Sequence, residues 1–349
     1  MGVNKDIDAS VVDVFCGAGG LSHGFSCEGF PIAAGIDIDE ACRYPFQANN
    51  SAPFVCRDVT SVTAEELNRL FYKSQRRVLV GCAPCQPFSI YNQGNSDLNW
   101  QLLPIFAKLI CEVRPDVVSM ENVPRLVRFN EGGPFVQFVH SLECAGYHVA
   151  WDVVYCPDYG LPQTRSRLVL LASQLGEIKL PKPTHKKRHK TVREAIGSLP
   201  SIKAGEIHHE DALHRASMLS EINIRRIRAS RSGGTWRDWD DELVAKCHRE
   251  ETGESYPSVY GRMKWDEPAP TITTQFFGFG NGRFGHPQQH RALSLREGAI
   301  LQGFPKDYAF VEPGRPIHFK SVGRLIGNAV PVHLARAIAR MIRRHLKDL

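Results

Sequence analysis

The sequence predicts an α/β protein: a parallel sheet built of strand-then-helix units, accompanied by a smaller domain of mixed pattern. Three observations carry this. Short apolar runs alternate with helical stretches through the first ~175 residues, the pattern of repeated strand-then-helix units. A glycine cluster follows the first apolar run directly. After Ser173 the alternation stops at the proline-broken segment Leu180-Pro181-Lys182-Pro183-Thr184-His185, and a basic region of mixed pattern begins with Lys186-Lys187-Arg188-His189-Lys190.

Val11–Phe15, Ile32–Asp37, Phe54–Val59, Arg77–Cys82 and Asp116–Glu121 read as successive strands, with His148–Cys156 and Arg167–Ser173 as two more near the sheet edge. Thr63–Phe71 reads as a helix that opens with a capping box from Thr63 to Glu66. From Val332 to Leu346, Leu334, Ile338, Met341, Ile342 and Leu346 recur at helical spacing, which predicts a packed amphipathic helix at the end of the chain. The expected domains are 1-184 plus 318-349, and 185-317.

Composition narrows the function classes. With 349 residues, 42% hydrophobic and 23% charged, the chain has material for a sizeable core, which excludes disorder and fibrous architectures. Apolar stretches such as Leu168–Ala172 fall far short of the roughly 20 residues a membrane span needs. The start shows no signal-peptide core, so a cytoplasmic protein without membrane association is expected. Ten cysteines without the dense spacing of a secreted scaffold are expected to be free thiols. Forty-three Lys plus Arg against 37 Asp plus Glu leave +6, too little to establish a nucleic-acid partner alone.

Four motifs sit where an open α/β sheet places its chemistry, at the carboxyl ends of strands. Gly17, Gly19 and Gly20 in Asp13-Val14-Phe15-Cys16-Gly17-Ala18-Gly19-Gly20-Leu21-Ser22 let bare backbone approach a nucleotide-like ligand, though not with dinucleotide-fingerprint spacing. Asp37 and Asp58 end the second and third strands; each alone reads as an ordinary strand-end or cap acid, but with the glycine loop they outline an adenosine pocket. Gly81-Cys82-Ala83-Pro84-Cys85-Gln86-Pro87-Phe88-Ser89 brings Cys85 to the same edge, and Asp116–Met120 delivers Glu121-Asn122-Val123 beside it if sequential strands are neighbours. Cys82 and Cys85 also form a C-x-x-C pair, open to a dithiol or zinc reading; zinc lacks partners, since His185 and His189 lie far downstream. In Gln163-Thr164-Arg165-Ser166-Arg167, extended backbone would point Arg165 and Arg167 the same way, the alternative being exposed arginines on a surface strand.

In order, these segments, together with Arg296-Glu297 through Leu301-Gln302-Gly303-Phe304-Pro305 and Gly327-Asn328-Ala329-Val330-Pro331, resemble the motif series of the bacterial DNA cytosine C5-methyltransferases of restriction-modification systems. The resemblance spans nearly the whole chain except residues 185–270, which correspond to that family's variable target-recognition region. It implies a Rossmann-like S-adenosylmethionine-dependent methyltransferase sheet with a smaller, mixed target-recognition domain. Phe15, Gly17, Ala18, Gly19, Gly20 and Leu21 would line the S-adenosylmethionine pocket, with Asp37 on the ribose, Ile38 under the adenine, and Asp58 and Val59 at the adenine edge. Asn328 and Val330 would close the methionine end; Pro84 and Leu102 join the cofactor set. Cys85 falls on the nucleophile, Glu121 on the acid at cytosine N3 and Arg167 on the contact to O2, with Arg165 supporting them. Gln86, Ser89, Tyr91, Asn122 and Gln163 would touch the substrate. No metal is implied. The chain departs from the pattern at Cys82, where glycine is frequent, at Asp37, where glutamate is common, and at Asn99, where arginine is common.

The residue types suit the chemistry. Cytosine C5 becomes nucleophilic only after the ring's aromaticity is broken, which attack of the Cys85 thiolate at C6 achieves. Protonated Glu121 and Arg167 would neutralise the charge developing on N3 and O2. The base must leave its duplex to reach such a pocket, at a cost of about a few kcal/mol. Ser89–Asp97 is expected to close over it, and the basic, aromatic region Lys186–Arg283 to hold phosphates and read bases, although the arginine run 225–231 reads equally as a solvated helix face. The expected partner is duplex DNA, bound by a monomer, with a cognate restriction endonuclease acting on the same site without being bound. Three alternatives stand: a transfer-RNA cytosine C5-methyltransferase on the same fold, a non-catalytic nucleic-acid-binding relative, and a thiol oxidoreductase. Cys82→Ala is expected to disable only the last.

Overall fold

The computed structural model describes residues 7–73, 75–84, 102–250, 253 and 256–348. It divides into two compact units. The first comprises Met1–Tyr159, Ser166–Thr184 and Ala329–Leu349, and the second Gly160–Arg165 and His185–Asn328. The long stretch of the second unit begins at His185, and this unit also takes in residues 160–165 and 318–328, which the expected domains gave to the first.

The first unit is built on strands β1 (Ala9–Val14), β2 (Ile32–Asp37), β3 (Phe54–Cys56), β4 (Arg76–Gly81), β5 (Val117–Asn122), β6 (His148–Tyr155) and β7 (Ser166–Ser173). They form one sheet in the order β3-β2-β1-β4-β5-β7-β6. Strands β1 to β5 pair in parallel, while β7 runs antiparallel to both β5 and β6. Every residue of β1 and of β5 is buried, as expected of strands covered on both faces. Because β2 and β4 flank β1, strand order reverses there, which makes the carboxyl ends of β1 and β4 the place where such sheets bind ligands.

Alternate residues build the core on one face. Val12, Val14, Leu79, Val118, Met120, Leu168 and Leu170 pack with Leu67 of α3 (Ala64–Leu70), Phe106 and Ile110 of α4 (Leu102–Val113), and Phe138 and Leu142 of α5 (Gly133–Cys144). The capping box of α3 forms as expected, the Thr63 hydroxyl accepting from the Glu66 N–H and the Glu66 carboxylate from the Thr63 N–H. β3 ends at Cys56 rather than Val59, because the Asp58 carboxylate accepts the Thr60 N–H at 2.9 Å and caps a 3-10 turn.

The chain-terminal helix, Val332–Lys347, packs against α1 (Gly20–Cys27). Gly24 allows the approach: a Cβ there would lie 2.3 Å from Ala335 Cβ and 2.8 Å from the Ala335 backbone. Leu334, Ile338 and Ile342 are buried as the spacing predicts, but Met341 and Leu346 are only half-buried. His345 occupies the inward position instead, its Nε2 bonded with Ser173 Oγ at 2.8 Å.

The second unit has few regular elements. Its helices include α6 (Val192–Ile196), α7 (Glu221–Ala229), α8 (Leu295–Leu301) and α9 (Phe319–Asn328), joined by turns and 3-10 segments. One core gathers Leu219, Ile227, Trp236, Trp239, Leu243 and Phe279. Another anchor is ionic: Arg291 grips the Glu297 carboxylate through both terminal nitrogens at 2.7 Å, all of it buried. Burial opposes ionisation of Glu297, yet Arg291 prevails and holds its carboxyl down to about 2.

Candidate active site

At the carboxyl end of β1 the backbone turns sharply. Phe15, Gly17 and Gly19 take positive φ values of 62°, 52° and 87°, and Gly19 caps α1 from the left-handed region. The Asp37 carboxylate holds the turn: Oδ2 accepts the Gly17 N–H and Oδ1 the Asp39 N–H, each at 2.9 Å. Burial raises the Asp37 pKa, against the pull of those two bonds. A Cβ on Gly17 would meet nothing within 4 Å, so the loop borders open space, and Ile38 beside Asp37 is 67% exposed. An apolar side chain offered next to a glycine turn and an acid suits an adenosine group.

The other expected cofactor residues occupy varied positions. Ala18, Gly20, Leu21 and Val59 are buried, Asp58 is exposed at its cap, and Leu102 is half-buried at the first turn of α4. Asn328 is exposed at the last residue of α9 in the second unit, whereas Val330 is buried in the first.

Beneath this loop lies a pair that sequence reasoning missed. Asp13 is fully buried on β1, and the Ser22 hydroxyl of α1 donates to its Oδ2 at 2.6 Å. Burial pushes the Asp13 carboxyl up to about 7. The signal was an acid inside an otherwise apolar strand.

The second half of the site forms where β4 and β5 end side by side, with Gly81 paired to Met120. Glu121 is buried, and its two oxygens have different neighbours. Oε1 lies 2.9 Å from Arg167 Nε, an ion pair without the alignment of a hydrogen bond, while Oε2 accepts from the Cys82 thiol at 2.9 Å. Arg167 reaches this position from the start of β7, where its Nη1 also donates to Ser166 O at 2.7 Å. Cys85, Gln86, Ser89, Tyr91 and Asn99 lie outside the described residues; Pro84 is the last described residue of the loop and is half-buried.

Three of the expected site residues have partners that the sequence did not show. The pairing of Arg165 with Arg167 rested on one extended strand, but β7 begins at Ser166. Arg165 is buried in the second unit, with Nη1 donating to Ile272 O at 3.1 Å and Nη2 to Gly327 O at 3.3 Å. Its guanidinium is thus bonded to backbone carbonyls of the second unit. Gln163, expected at the substrate and in the shell that supports it, donates from Nε2 to Leu301 O and Gln302 Oε1 and accepts at Oε1 from Ile272 N and Arg165. All four of its hydrogen-bonding positions are filled. Asn122 is likewise committed, Nδ2 to Ala83 O at 3.2 Å and Oδ1 from Val123 N at 2.8 Å, so it steadies the loop that leads toward Cys85.

The basic, aromatic region is also more structural than its composition implies. Trp236 and Trp239 are core residues, and the Arg226 guanidinium lies over the rings of Trp239 and Tyr260 at 5.5 and 5.3 Å. Arg225 pairs with Glu242 and Arg231 with Asp238. Arg262 is buried among backbone carbonyls, and burial lowers it to about 10. Among the described residues, His208, His209 and Glu210 form one group with metal-ligand donors; it is largely exposed and lies in the second unit. No described helix is long and apolar enough to cross a membrane.

A reversed-order sheet with a glycine turn at β1, an acid at β2 and a paired glutamate beside the β4 exit is the frame of an α/β enzyme that works at the carboxyl edge of its sheet. Comparison with known proteins specifies which. The family model of C-5 cytosine-specific DNA methylases matches residues 9–344, and the chain belongs to that family: it is a DNA (cytosine-5)-methyltransferase. It is 53% identical over 342 residues to the type II methylase M.HgiDII of Herpetosiphon aurantiacus, covering 97% of this chain and 96% of that protein. To the type II methyltransferase M1.HphI of Haemophilus parahaemolyticus it is 32% identical, covering 95% and 86%. The fold is shared with a prophage-encoded E. coli protein described as a DNA modification methyltransferase, with a TM-score of 0.76, 22% identity and coverage of 97% and 99%.

Proposed function

We propose that this methyltransferase acts as the modification enzyme of a type II system, methylating C5 of a flipped-out cytosine in a specific duplex sequence through a covalent bond between Cys85 and C6. The observation that carries this reading is the buried carboxylate of Glu121, fixed from both sides at the carboxyl edge of the sheet, beside the loop that leads to Cys85. Burying such a pair costs more than it returns in stability, which favours a functional reason for it.

The family uses S-adenosylmethionine, which supplies the methyl group. Glu121 and Arg167 divide the work on the base. Before cytosine arrives, Arg167 neutralises the Glu121 carboxylate. The incoming O2 competes for the guanidinium, and Glu121, taking up a proton from solvent as Arg167 is drawn away, then engages N3. With both sites of developing charge matched, the Cys85 sulfur adds to C6 and the 5,6 double bond opens, so that C5 carries the electron pair that takes the methyl group. Loss of the C5 proton and expulsion of the thiolate restore the ring. Asp37 and Ile38 hold the ribose and adenine, and Gly17 to Gly20 let the backbone come close. The second unit, with its exposed lysines at 186, 187 and 190, supplies phosphate contacts and base readout, and the enzyme acts as a monomer alongside an endonuclease of the same specificity.

The retained thiol-loop sequence Pro84-Cys85-Gln86 and the length of the second unit favour DNA over RNA. Bisulfite sequencing of DNA from cells expressing the chain should report fully protected cytosines in one sequence context. Methyl incorporation into transfer RNA alone would overturn the proposal.

A further inference from the structure

The thiol of Cys82 is the feature that the reaction above leaves without a task. It stands three residues before the nucleophile, at the position where glycine is frequent among the resembling enzymes, and the sequence alone offered it only as half of a C-x-x-C pair. In the structure it donates to Glu121 Oε2 at 2.9 Å, on the side of the carboxylate away from the Arg167 contact. We propose that Cys82 is a positioning residue for Glu121: its hydrogen bond fixes the rotation of the carboxyl group, so that Oε1 alone is turned toward the base.

The argument is geometric. A glutamate carboxyl turns about its terminal bond with a broad, roughly two-fold preference, so burial alone does not decide which oxygen faces the substrate. Arg167 cannot settle the matter, because its Nε approaches Oε1 without hydrogen-bond alignment and is the group that the cytosine O2 draws away. A donor on Oε2 that stays in place when Arg167 moves keeps the orientation through the reaction. Cys82 meets that condition, since its backbone leaves β4 at Gly81, and the packing there is close. A Cβ on Gly81 would stand 2.9 Å from Val14 O and 3.0 Å from Phe106 Cζ. The following residue is tied as well, because Asn122 Nδ2 donates to Ala83 O. Consecutive residues of β5, Glu121 and Asn122, thus grip consecutive residues of the β4 exit, Cys82 and Ala83. Positioning at the level of a few tenths of an ångström affects the rate because electrostatic stabilisation acts only on charge at the right place.

This inference rests on the proposed role of Glu121 at N3, and it reverses the simpler expectation that Cys82→Ala leaves methyl transfer untouched. The test measures kcat and both KM values, for duplex DNA and for S-adenosylmethionine, in Cys82→Ala, Cys82→Ser, Glu121→Ala and the double variant Cys82→Ala/Glu121→Ala. Cys82→Ala should lower kcat about tenfold with both KM values within twofold. Cys82→Ser, which keeps a short donor, should return kcat to within about threefold of the parent. In the Glu121→Ala background, Cys82→Ala should change nothing further, the mark of one residue acting through another. The proposal is overturned if Cys82→Ala has the parental kcat, if the serine variant falls as far as the alanine, or if the two losses multiply in the double variant. Should Glu121→Ala itself keep full activity, the role of Glu121 fails, an outcome distinct from all three.

Discussion

Glu121 and Arg167, 46 residues apart in sequence, form a buried ion pair at 2.9 Å on adjacent strands of the sheet. Removing one member leaves the other inside the protein without its counter-charge. Arg167→Ala should therefore cost about 3–5 kcal/mol of stability as well as activity, whereas the double variant Glu121→Gln/Arg167→Met should regain most of the stability and none of the activity. Denaturant unfolding of the three proteins checks this; equal stability of Arg167→Ala and the parent would contradict it.

Asp37 joins the glycine turn to the ligand. Asp37→Ala removes the acceptor for Gly17 N and Asp39 N together with the oxygens assigned to the ribose. Calorimetric titration with S-adenosylhomocysteine should show the Kd rising at least about tenfold, or ~1.4 kcal/mol. An unchanged Kd would remove Asp37 from the cofactor site.

Asp13 makes stability depend on pH. Its carboxyl is raised by burial from an ordinary value of 3.8 to about 7, so the folded state prefers the neutral form. The stabilisation this confers is complete below pH 3.8 and is lost as pH rises toward 7. Relative to Asp13→Asn, the parent should lose about 2–4 kcal/mol of unfolding free energy between pH 4 and pH 8. Parallel stability curves for the two proteins across that interval would refute the assignment.

Gly327 closes the segment around Arg165. A Cβ there would stand 2.5 Å from Thr273 C and Thr274 N, backbone atoms that cannot turn aside as a side chain could. Gly327→Ala should destabilise the protein by about 1–3 kcal/mol, read as a lower thermal midpoint. An unaltered midpoint would show that the neighbouring backbone yields.

The parallel sheet was legible because its strands are short apolar runs between glycine turns and capped helices: Ile32–Asp37 is found with the expected bounds. What sequence could not show was the partner of each polar group. Arg165 and Arg167 look equivalent on paper, yet one spends its guanidinium on the carbonyls of Ile272 and Gly327, more than a hundred residues away, and the other meets Glu121. Cys82 read as half of a C-x-x-C pair, because nothing local tells that the adjacent strand turns a carboxylate toward it. The second unit was the least legible, since aromatic residues among arginines fit a nucleic-acid surface and a core equally well. Trp236 and Trp239 belong to the core.

The central claim is a bond between the sulfur of Cys85 and C6 of an extruded cytosine. A duplex carrying 5-fluorocytosine at the target position, incubated with the enzyme and S-adenosylmethionine, tests it most directly, because fluorine at C5 blocks the elimination that frees the enzyme. The account predicts a denaturation-resistant protein–DNA adduct, mapped to Cys85 by mass spectrometry and absent from Cys85→Ser. A fully methylated unmodified duplex from Cys85→Ser, or an adduct on another residue, would contradict it.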